Sequence, residues 1–274
     1  MCISADLHTH STASDGQYTP PELVTLAQKS ELNTLAITDH DTLDGLEEAE
    51  GAAVSCGLHL IRGVELGAKE YKDLHILGYG FSQEAPELRA LCKQMKDSRD
   101  ERKYRIIAFL KEKGVHISLD EVEEMAGGDI IARPHFARVM VKRGYVSTTW
   151  EAFDRYLDTG EYQKIERFKA DARTCIEAIR AGGGKVSLAH PYQLKLDNDA
   201  LDSLVCQLAG YGLDAMECHY PRHTPEQTEF YLGLTRKYNL HISGGSDFHG
   251  EAVKPDVVLS KLALDLSWLD ERKG

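Results

Sequence analysis

The chain has 274 residues, of which 42% are hydrophobic, enough for one large globular domain or for a domain with an insertion. Its net charge of −12 argues against a general polyanion binder, because such proteins present a basic surface. No apolar run approaches the roughly 20 residues that a membrane span needs, and the opening residues lack the basic and apolar regions of a signal peptide. We therefore expect a cytoplasmic protein without a membrane partner, in which the six cysteines, none in a Cys-x-x-Cys pair, are free thiols.

Short apolar runs alternate with helical patterns over the first 82 residues. The segment CISADLHTH predicts a strand, and TPPELVTLAQKSEL predicts a helix with Thr19 as its N-cap and Pro20 as its first residue. A second strand is predicted in NTLAITDHD, followed by a helix that ends at Gly57. The segments LHLIRGVEL and DLHILGYGF predict two further strands, which we expect to pair as a hairpin.

The pattern changes in the middle of the chain, where residues 98–169 contain helical patterns and no convincing strand. This segment carries 14 Lys and Arg against 13 Asp and Glu, so the acidic excess lies elsewhere. In the last third, GGKVSLAHP, GLDAMECHY and NLHISGGSDFHG predict three more strands separated by helices. We therefore predict an α/β fold in which an irregular (β/α) barrel (residues 1–97 and 170–274) carries a small helical insertion domain (98–169), in preference to an open sheet.

Residue types that ligate metals collect where the predicted strands end. Because the carboxyl ends of barrel strands meet at one face, we expect these side chains to lie together. His75 begins its strand instead, as the return arm of a hairpin would place it. Nine candidate ligands result: His8, His10, Asp15, His40, Glu65, His75, His190, Asp247 and His249.

Several other polar residues lie near these positions. Glu217 and His219, at the end of the sixth strand, fit a ligand role and a structural role equally well. Asp39 and Asp41 flank His40, and at least one of them is expected to cap a helix or to orient a ligand. Histidines without ligand-type neighbours are expected to be structural: His59, His116, His223 and His241.

Nine ligands are too many for one ion and suit two or three divalent ions. A mixture of imidazoles and carboxylates favours Mn, Fe, Zn or Co over Mg, which prefers oxygen ligands. Three ions would leave the pocket positively charged, which favours a phosphate, and a hydroxide held between the ions is the expected nucleophile. The sequence therefore predicts a phosphate ester hydrolase.

These motifs, taken together, resemble those of the PHP (polymerase and histidinol phosphatase) superfamily. The matching segments are Asp6-Leu7-His8-Thr9-His10, Ser14-Asp15-Gly16, Ile37-Thr38-Asp39-His40-Asp41, Gly63-Val64-Glu65, His75, Ala189-His190-Pro191 and Ser246-Asp247-Phe248-His249. The resemblance spans essentially the whole chain. It implies a distorted seven-stranded (β/α) barrel with a trinuclear metal site, whose ligands correspond to the nine candidates, with Mn favoured.

The helical insertion makes the chain similar to two groups within that superfamily, the 3',5'-nucleoside bisphosphate phosphatases and a 5'-3' exoribonuclease. In these, basic residues of the insertion bind substrate phosphates, and the matching positions here are Arg99, Arg102, Arg133 and His135. The chain departs from both groups in having Tyr192-Gln193-Leu194 after His190-Pro191, in place of Gly-Arg-Tyr. It also has GEYQKIERF at the end of the insertion, where those groups carry a Gly-Tyr-Val type segment. Both places are expected to touch substrate, so the leaving group stays open.

The leading hypothesis is a metal-dependent phosphoesterase that hydrolyses a small nucleotide, such as a 3',5'-bisphosphate, by metal-activated hydroxide. Asp15, His190 and Asp247 would act through the metals, Arg133 would neutralise developing charge, and either His135 or His219 would protonate the leaving oxygen. The alternatives are a 5'-3' exoribonuclease on short RNA, a histidinol-phosphate-type phosphatase, an amidohydrolase and a non-catalytic PHP module. No obligate protein partner is indicated.

Overall fold

The computed structural model describes residues 3–126, 131, 133–165 and 167–270. Cys2, in the predicted first strand, lies outside the described residues, as does Glu166 of the segment GEYQKIERF. None of the helices in the described ranges combines the length and apolar character needed to cross a membrane.

The described residues form one eight-stranded sheet, with the strands in the order β7-β6-β5-β4-β3-β2-β1-β8. The strands are β1 (Ile3–Asp6), β2 (Thr34–Ile37), β3 (His59–Gly67), β4 (His75–Tyr79), β5 (Lys185–Leu188), β6 (Ala215–His219), β7 (His241–Gly244) and β8 (Leu262–Leu264). The first seven correspond to the seven predicted strands, so the predicted α/β barrel is confirmed, and β8 is an addition that the sequence did not indicate.

The sheet nearly closes on itself, because β1 is approached from its free side by both β8 and β7. The β8 strand runs antiparallel to β1, with Ala5 opposite Leu262. Beyond the end of β1, the Leu7 amide donates to the Gly244 carbonyl at the end of β7, over 3.2 Å. β8 therefore fills the gap between the first and the seventh strand at one end of the barrel, where Trp268 packs with it in the buried interior.

The direction of the strands explains the odd position of His75. β3 and β4 pair as an antiparallel hairpin with Gly67 opposite His75, as predicted, and β4 is antiparallel to β5 as well. The other neighbours among the first seven strands are parallel. β4 therefore starts at the rim where its neighbours end, and His75 reaches the same face as the strand-end residues.

Helices cover the outside of the barrel and form the middle of the chain. They are α1 (Pro20–Lys29), α2 (Leu46–Cys56), α3 (Pro86–Glu112), α4 (Leu119–Ala126), α5 (Arg133–Lys142), α6 (Thr149–Ala152), α7 (Ala172–Ala181), α8 (Asn198–Tyr211), α9 (Pro225–Tyr238) and α10 (Ser267–Asp270). The predicted cap of α1 is confirmed, since Thr19 and Glu22 form a capping box. The predicted end of α2 is also confirmed, since Gly57 takes a left-handed conformation with φ of 72°.

The chain divides into two compact units. The first comprises the described residues up to Lys93 and those from Lys169 onward, and it contains all eight strands. The second, Gln94–Phe168, has a buried apolar core of its own that includes Phe136, Leu157 and Tyr162. The predicted insertion boundary at residue 98 falls inside α3, which is continuous there.

Candidate metal centre

The nine candidate ligands lie together at the rim of the barrel, arranged around the carboxylate of Glu65 at the end of β3. Glu65 is fully buried. Its Oε2 lies 3.3 Å from His8 Nε2, 3.2 Å from His10 Nε2 and 3.1 Å from His40 Nδ1. These three rings therefore present nitrogen atoms to one side of a single carboxylate.

The other oxygen of Glu65 contacts the remaining two histidines of the β3–β5 side. Oε1 lies 2.8 Å from His75 Nδ1 and 2.9 Å from His190 Nε2. His75 begins β4 and His190 follows β5, so the hairpin and the antiparallel β4–β5 pair bring both rings to Glu65. A single buried carboxylate thus touches five imidazoles.

Asp15 and Asp247 complete the opposite side of the cluster through His249. Asp15 Oδ1 lies 3.3 Å from His249 Nε2, and Asp247 Oδ1 lies 3.3 Å from His249 Nδ1. His10 faces His249 with ring centroids 4.0 Å apart, and its Nε2 is 3.4 Å from Asp247 Oδ1. All nine residues are therefore linked by contacts within one cluster.

Within this cluster, three groups of side chains offer ligand atoms that all lie within 4.8 Å of one another. Glu65, His10 and His40 each belong to two of these groups, so the three groups adjoin one another. The groups are His10, Asp15, His40 and His249; His8, His10 and Glu65; and His40, Glu65 and His75.

Unpartnered polar atoms test whether the cluster fits metal ions. His8 Nε2, both ring nitrogens of His10, Glu65 Oε2 and His190 Nδ1 are buried and have no hydrogen-bond partner among the described residues. Such groups are rare in folded proteins, because each loses its hydration without compensation. Divalent ions would satisfy these nitrogen and oxygen donors together, so the residues present fit a metal site.

The charges in the cluster are set by burial and by close contact. Although burial alone would raise the pKa of Glu65, the imidazoles around its two oxygens hold that pKa well below its usual range. Burial lowers the pKa of His40 to about 3, so this ring is neutral and its lone pair is available. Burial opposes protonation of His10 too, yet Asp247 and Glu65 raise its pKa to about 9. A cation that binds His10 therefore displaces a proton.

Among the nine candidate ligands, three partly exposed side chains mark the open side of the cluster. The side chain of Asp15 is 38% exposed, and those of His40 and His75 are 23% and 19% exposed. In contrast, Glu65 and His10 are fully buried. A ligand from solvent therefore reaches the cluster past Asp15, His40 and His75.

Asp39 holds the loop that carries Asp15. Its Oδ1 accepts hydrogen bonds from the Ser11 amide (2.7 Å) and the Ser14 hydroxyl (2.6 Å), and its Oδ2 accepts from the Ser11 hydroxyl (2.6 Å). One of the two carboxylates beside His40 was expected to orient a ligand. Asp39 has this role, because its hydrogen bonds hold the loop after β1 that carries Asp15. Asp41 instead accepts from the Gly67 amide at the end of β3 (3.0 Å).

Two glycines let the ligand-bearing segments approach each other. A Cβ atom on Gly16 would lie 2.2 Å from the His10 carbonyl oxygen, and one on Gly245 would lie 2.4 Å from the His8 Cβ. No side chain fits at such distances. These close approaches account for the glycine in Ser14-Asp15-Gly16 and for the glycine just before Ser246.

Glu217, whose role the sequence left open, orients two of the candidate ligands. Its Oε1 lies 3.1 Å from His8 Nδ1, the ring nitrogen that faces away from Glu65, and its Oε2 accepts from the His190 amide over 2.6 Å. A carboxylate behind an imidazole fixes the direction and the tautomer of the ring. Glu217 is therefore placed as a support for the ligands.

His219 does not follow Glu217 into the cluster. Glu217 pairs with Ser243 and His219 with Gly244, so β6 advances two residues where β7 advances one. Such an irregularity interrupts the alternation of side chains on which the sequence argument relied. Among the contacts of the described residues, none joins the His219 side chain to the nine candidate ligands.

Two residues that the sequence analysis missed contact the cluster through Asp247. The Tyr220 hydroxyl donates to Asp247 Oδ2 over 2.9 Å, and Lys254 Nζ donates to the same oxygen over 2.7 Å. Tyr220 directly follows β6, and that place after a strand end was the one available signal for it. Lys254 directly follows a turn, five residues beyond His249, and had no such signal.

The predicted phosphate-binding residues all belong to the second unit: Arg99, Arg102, Arg133 and His135. Arg102 Nε donates to the Ile165 carbonyl over 2.8 Å, and its guanidinium lies 5.6 Å from the Tyr162 ring. Arg133 pairs with Asp158 over 2.6 Å. His135 is half-buried on α5, and burial lowers its pKa. Their proposed contacts with a substrate stay predictions.

Comparison with known proteins gives consistent results. The family model of the PHP domain matches residues 6–170. The chain is 37% identical over 250 residues to a 5'-3' exoribonuclease of Haemophilus influenzae, with 91% of each chain covered. It is 30% identical to a 3',5'-nucleoside bisphosphate phosphatase of Chromobacterium violaceum, over 89% of this chain and 86% of that one. A solved structure from Bifidobacterium adolescentis, assigned as a metal-dependent phosphoesterase, is 30% identical and superposes with a TM-score of 0.76 over 98% of this chain and 94% of that one.

Proposed function

Since the chain belongs to the PHP family and is a metal-dependent phosphoesterase, we propose that its substrate is a small phosphorylated nucleotide, such as a nucleoside 3',5'-bisphosphate. The 3',5'-nucleoside bisphosphate phosphatase among its relatives supports this substrate class. The acidic chain supports it as well, because a net charge of −12 repels a long polyanion more than a single nucleotide.

The observation that carries the proposal is the set of buried nitrogen and oxygen atoms without partners around Glu65. We assign the nine clustered residues as ligands of two or three divalent ions, with Mn favoured over Fe, Zn or Co. Divalent ions, when bound, lower the pKa of water and stabilise negative charge on phosphoryl oxygens. Glu65, His10 and His40, which belong to two groups each, would keep neighbouring metal sites close together.

The open side of the cluster suggests how a phosphate group arrives. It passes Asp15, whose exposed carboxylate is the ligand closest to solvent, together with His40 and His75. Deeper in the cluster, His190 and Asp247 are buried and keep a fixed geometry. We propose that Asp15, His190 and Asp247 take part in catalysis as ligands that position the reacting groups.

We propose that residues 98–169 form an insertion domain that binds the rest of the substrate. Arginine guanidinium groups hold phosphate oxygens in pairs, which suits Arg99, Arg102 and Arg133 for this task. His135 would assist them. The proton for the leaving oxygen would come from His135 or His219.

A second candidate function is the stepwise removal of 5'-nucleotides from short RNA. The 37% identity to a 5'-3' exoribonuclease favours it, and it uses the same phosphate ester hydrolysis. A histidinol-phosphate-type phosphatase shares this chemistry as well. The hypothesis of a non-catalytic PHP module is set aside, because the chain is an enzyme and all nine ligand positions are occupied by ligand-type residues.

The test is a phosphate-release screen with Mn²⁺-loaded protein on 3'-phosphoadenosine 5'-phosphate, AMP, histidinol phosphate and a short 5'-phosphorylated RNA. Release from the bisphosphate alone would support the proposal, and progressive shortening of the RNA would replace it with the exonuclease. Glu65→Gln should abolish turnover, since it removes the central charge while keeping the shape. His59→Gln, at the exposed opposite end of the same strand, is the matched control and should retain full activity. Silence of the wild-type protein on all four substrates would refute the proposed substrate class.

A further inference from the structure

The two oxygens of Asp247 have different surroundings. Oδ1 faces the imidazoles, at 3.3 Å from His249 Nδ1 and 3.4 Å from His10 Nε2. Oδ2 faces away from them and accepts hydrogen bonds from the Tyr220 hydroxyl (2.9 Å) and from Lys254 Nζ (2.7 Å). One oxygen is thus directed to the proposed metal ions, and the other is held by donors from the protein.

The backbone of Asp247 makes these donors important. Its φ of 56° lies in the left-handed region, which is unfavourable for a residue with a side chain and persists only where the surroundings impose it. The Asp247 amide donates to the His8 carbonyl over 2.8 Å, and its carbonyl lies 2.9 Å from His249 Nδ1. These bonds fix the main chain of Asp247, but they do not orient its carboxylate. Tyr220 and Lys254 orient the carboxylate through their hydrogen bonds to Oδ2.

Both donors are held in place by their own contacts. The Tyr220 ring packs between three other rings, at centroid distances of 6.0 Å from His190, 5.4 Å from Tyr192 and 5.1 Å from His223. The Lys254 amide donates to the Gly250 carbonyl over 2.8 Å, which ties the lysine to the turn after His249. Tyr220 and Lys254 therefore approach Oδ2 from two separate segments, one after β6 and one after β7.

We propose that Lys254 and Tyr220 are positioning residues that hold Asp247 as a one-oxygen metal ligand. They occupy Oδ2, so that the carboxylate cannot rotate to offer both oxygens to the same ion. This inference rests on the proposed metal-dependent function, and neither residue is among the nine candidate ligands. Residues that orient ligands in this way typically change metal affinity by about 10- to 100-fold when they are replaced.

A positioning role and a mere charge effect predict opposite results for the lysine. The ammonium group of Lys254 repels a nearby cation, so removing its charge alone would strengthen metal binding. If Lys254 acts by positioning Asp247, Lys254→Met weakens metal binding instead, because the carboxylate loses its fixed direction. Tyr220→Phe removes one hydrogen bond without a change in charge and should weaken binding as well.

The experiment is a titration of the metal-free protein with Mn²⁺, in which free Mn²⁺ is measured directly, alongside turnover of the best substrate. We expect Lys254→Met and Tyr220→Phe each to raise the Mn²⁺ concentration for half-loading about tenfold or more. The double variant should lose less Mn²⁺-binding free energy than the two single variants lose together, because both donors bind the same oxygen. Lys254→Arg should restore most of the affinity. Lys261→Met, in the same part of the chain but paired with Glu31 at the surface, is the matched control and should bind like the wild type.

Unchanged or tighter Mn²⁺ binding in Lys254→Met, with a folded protein, would overturn the inference. Tyr220→Phe keeps the ring packing, so its Mn²⁺ affinity tests the inference independently if Lys254→Met folds poorly. In both variants kcat should fall while KM stays close to that of the wild type, since substrate contacts are untouched. If the wild-type protein binds Mn²⁺ but hydrolyses none of the four substrates, the proposed substrate is refuted. The Mn²⁺ titrations of the variants would still test the positioning role. Wild-type protein that binds no divalent ion would overturn both.

Discussion

Glu217→Gln is expected to weaken metal binding while leaving the fold intact. Glutamine has the shape of glutamate but offers only one acceptor oxygen, whereas Glu217 accepts from the His190 amide and faces His8 Nδ1 with its other oxygen. In the variant, one of these two partners must face the NH₂ group. A buried donor left unsatisfied costs about 1–3 kcal/mol.

That penalty converts into a change in affinity, because His8 and His190 must hold their orientation to bind metal. About 1.4 kcal/mol corresponds to a factor of ten, so about 1–3 kcal/mol predicts a loss of roughly 5- to 150-fold. This range includes the 10- to 100-fold typical of groups that orient metal ligands. The loss should be accompanied by little change in the amount of folded protein, since the side-chain volume is the same.

The assay is the half-loading concentration of Mn²⁺, measured for Glu217→Gln and for the wild-type protein under the same conditions. Glu229→Gln serves as the control, because Glu229 lies on the exposed face of α9, paired with Arg236. Unchanged Mn²⁺ affinity in Glu217→Gln would refute the reasoning, since it would mean that the ligands keep their orientation without the carboxylate.

Three further predictions concern thiols, the barrel end and a site glycine. Burial raises the thiol pKa of Cys92, Cys175 and Cys218 well above the ordinary value, so little thiolate forms at neutral pH. These three thiols should therefore react with a thiol reagent only on unfolding or at strongly alkaline pH. The exposed Cys56 and Cys206 should react quickly in the native protein, and fast labelling of a buried one, identified by mass spectrometry, would contradict the packing. Trp268→Ala should reduce the free energy of unfolding by about 3–5 kcal/mol in denaturant titrations, because the side chain is 1% exposed. A loss below about 1 kcal/mol would argue against the burial of Trp268 in the core. Gly16→Ala should lower both metal affinity and turnover, because its Cβ would collide with the His10 carbonyl, while Gly51→Ala, with open space around it, should have no such effect.

The sequence predicted the barrel well because its signals are local. Strand ends carry ligand-type residues, and the parallel arrangement brings strand ends to one rim without further information. β8 escaped prediction because three residues give almost no pattern, and its pairing with β1 joins opposite ends of the chain. The insertion boundary predicted at residue 98 and the boundary between the two compact units, between Lys93 and Gln94, both lie within α3, because the helix from Pro86 to Glu112 is continuous.

In the site, too, residues with a local sequence signal were predicted, and roles that depend on contacts between distant segments were not. Glu217 and His219 looked equivalent by their spacing of two, and an irregularity between them, set by the pairing of β6 with β7, separates their positions. The roles of Tyr220 and Lys254 depend on the direction of one carboxylate oxygen. No spacing rule predicts such a contact, because it arises only when segments from different strand ends meet.

The pairing of β1 with β8 has a consequence for synthesis of the protein on the ribosome. One edge of β1 pairs with β2, which follows it by about 30 residues, but the partner of its other edge is residues 262–264. At about 5–20 residues per second, that edge of the nascent chain waits roughly 10–50 s for its partner. During this time the unpaired edge of β1 can template aggregation, and it stays exposed until residues 262–264 have been synthesised.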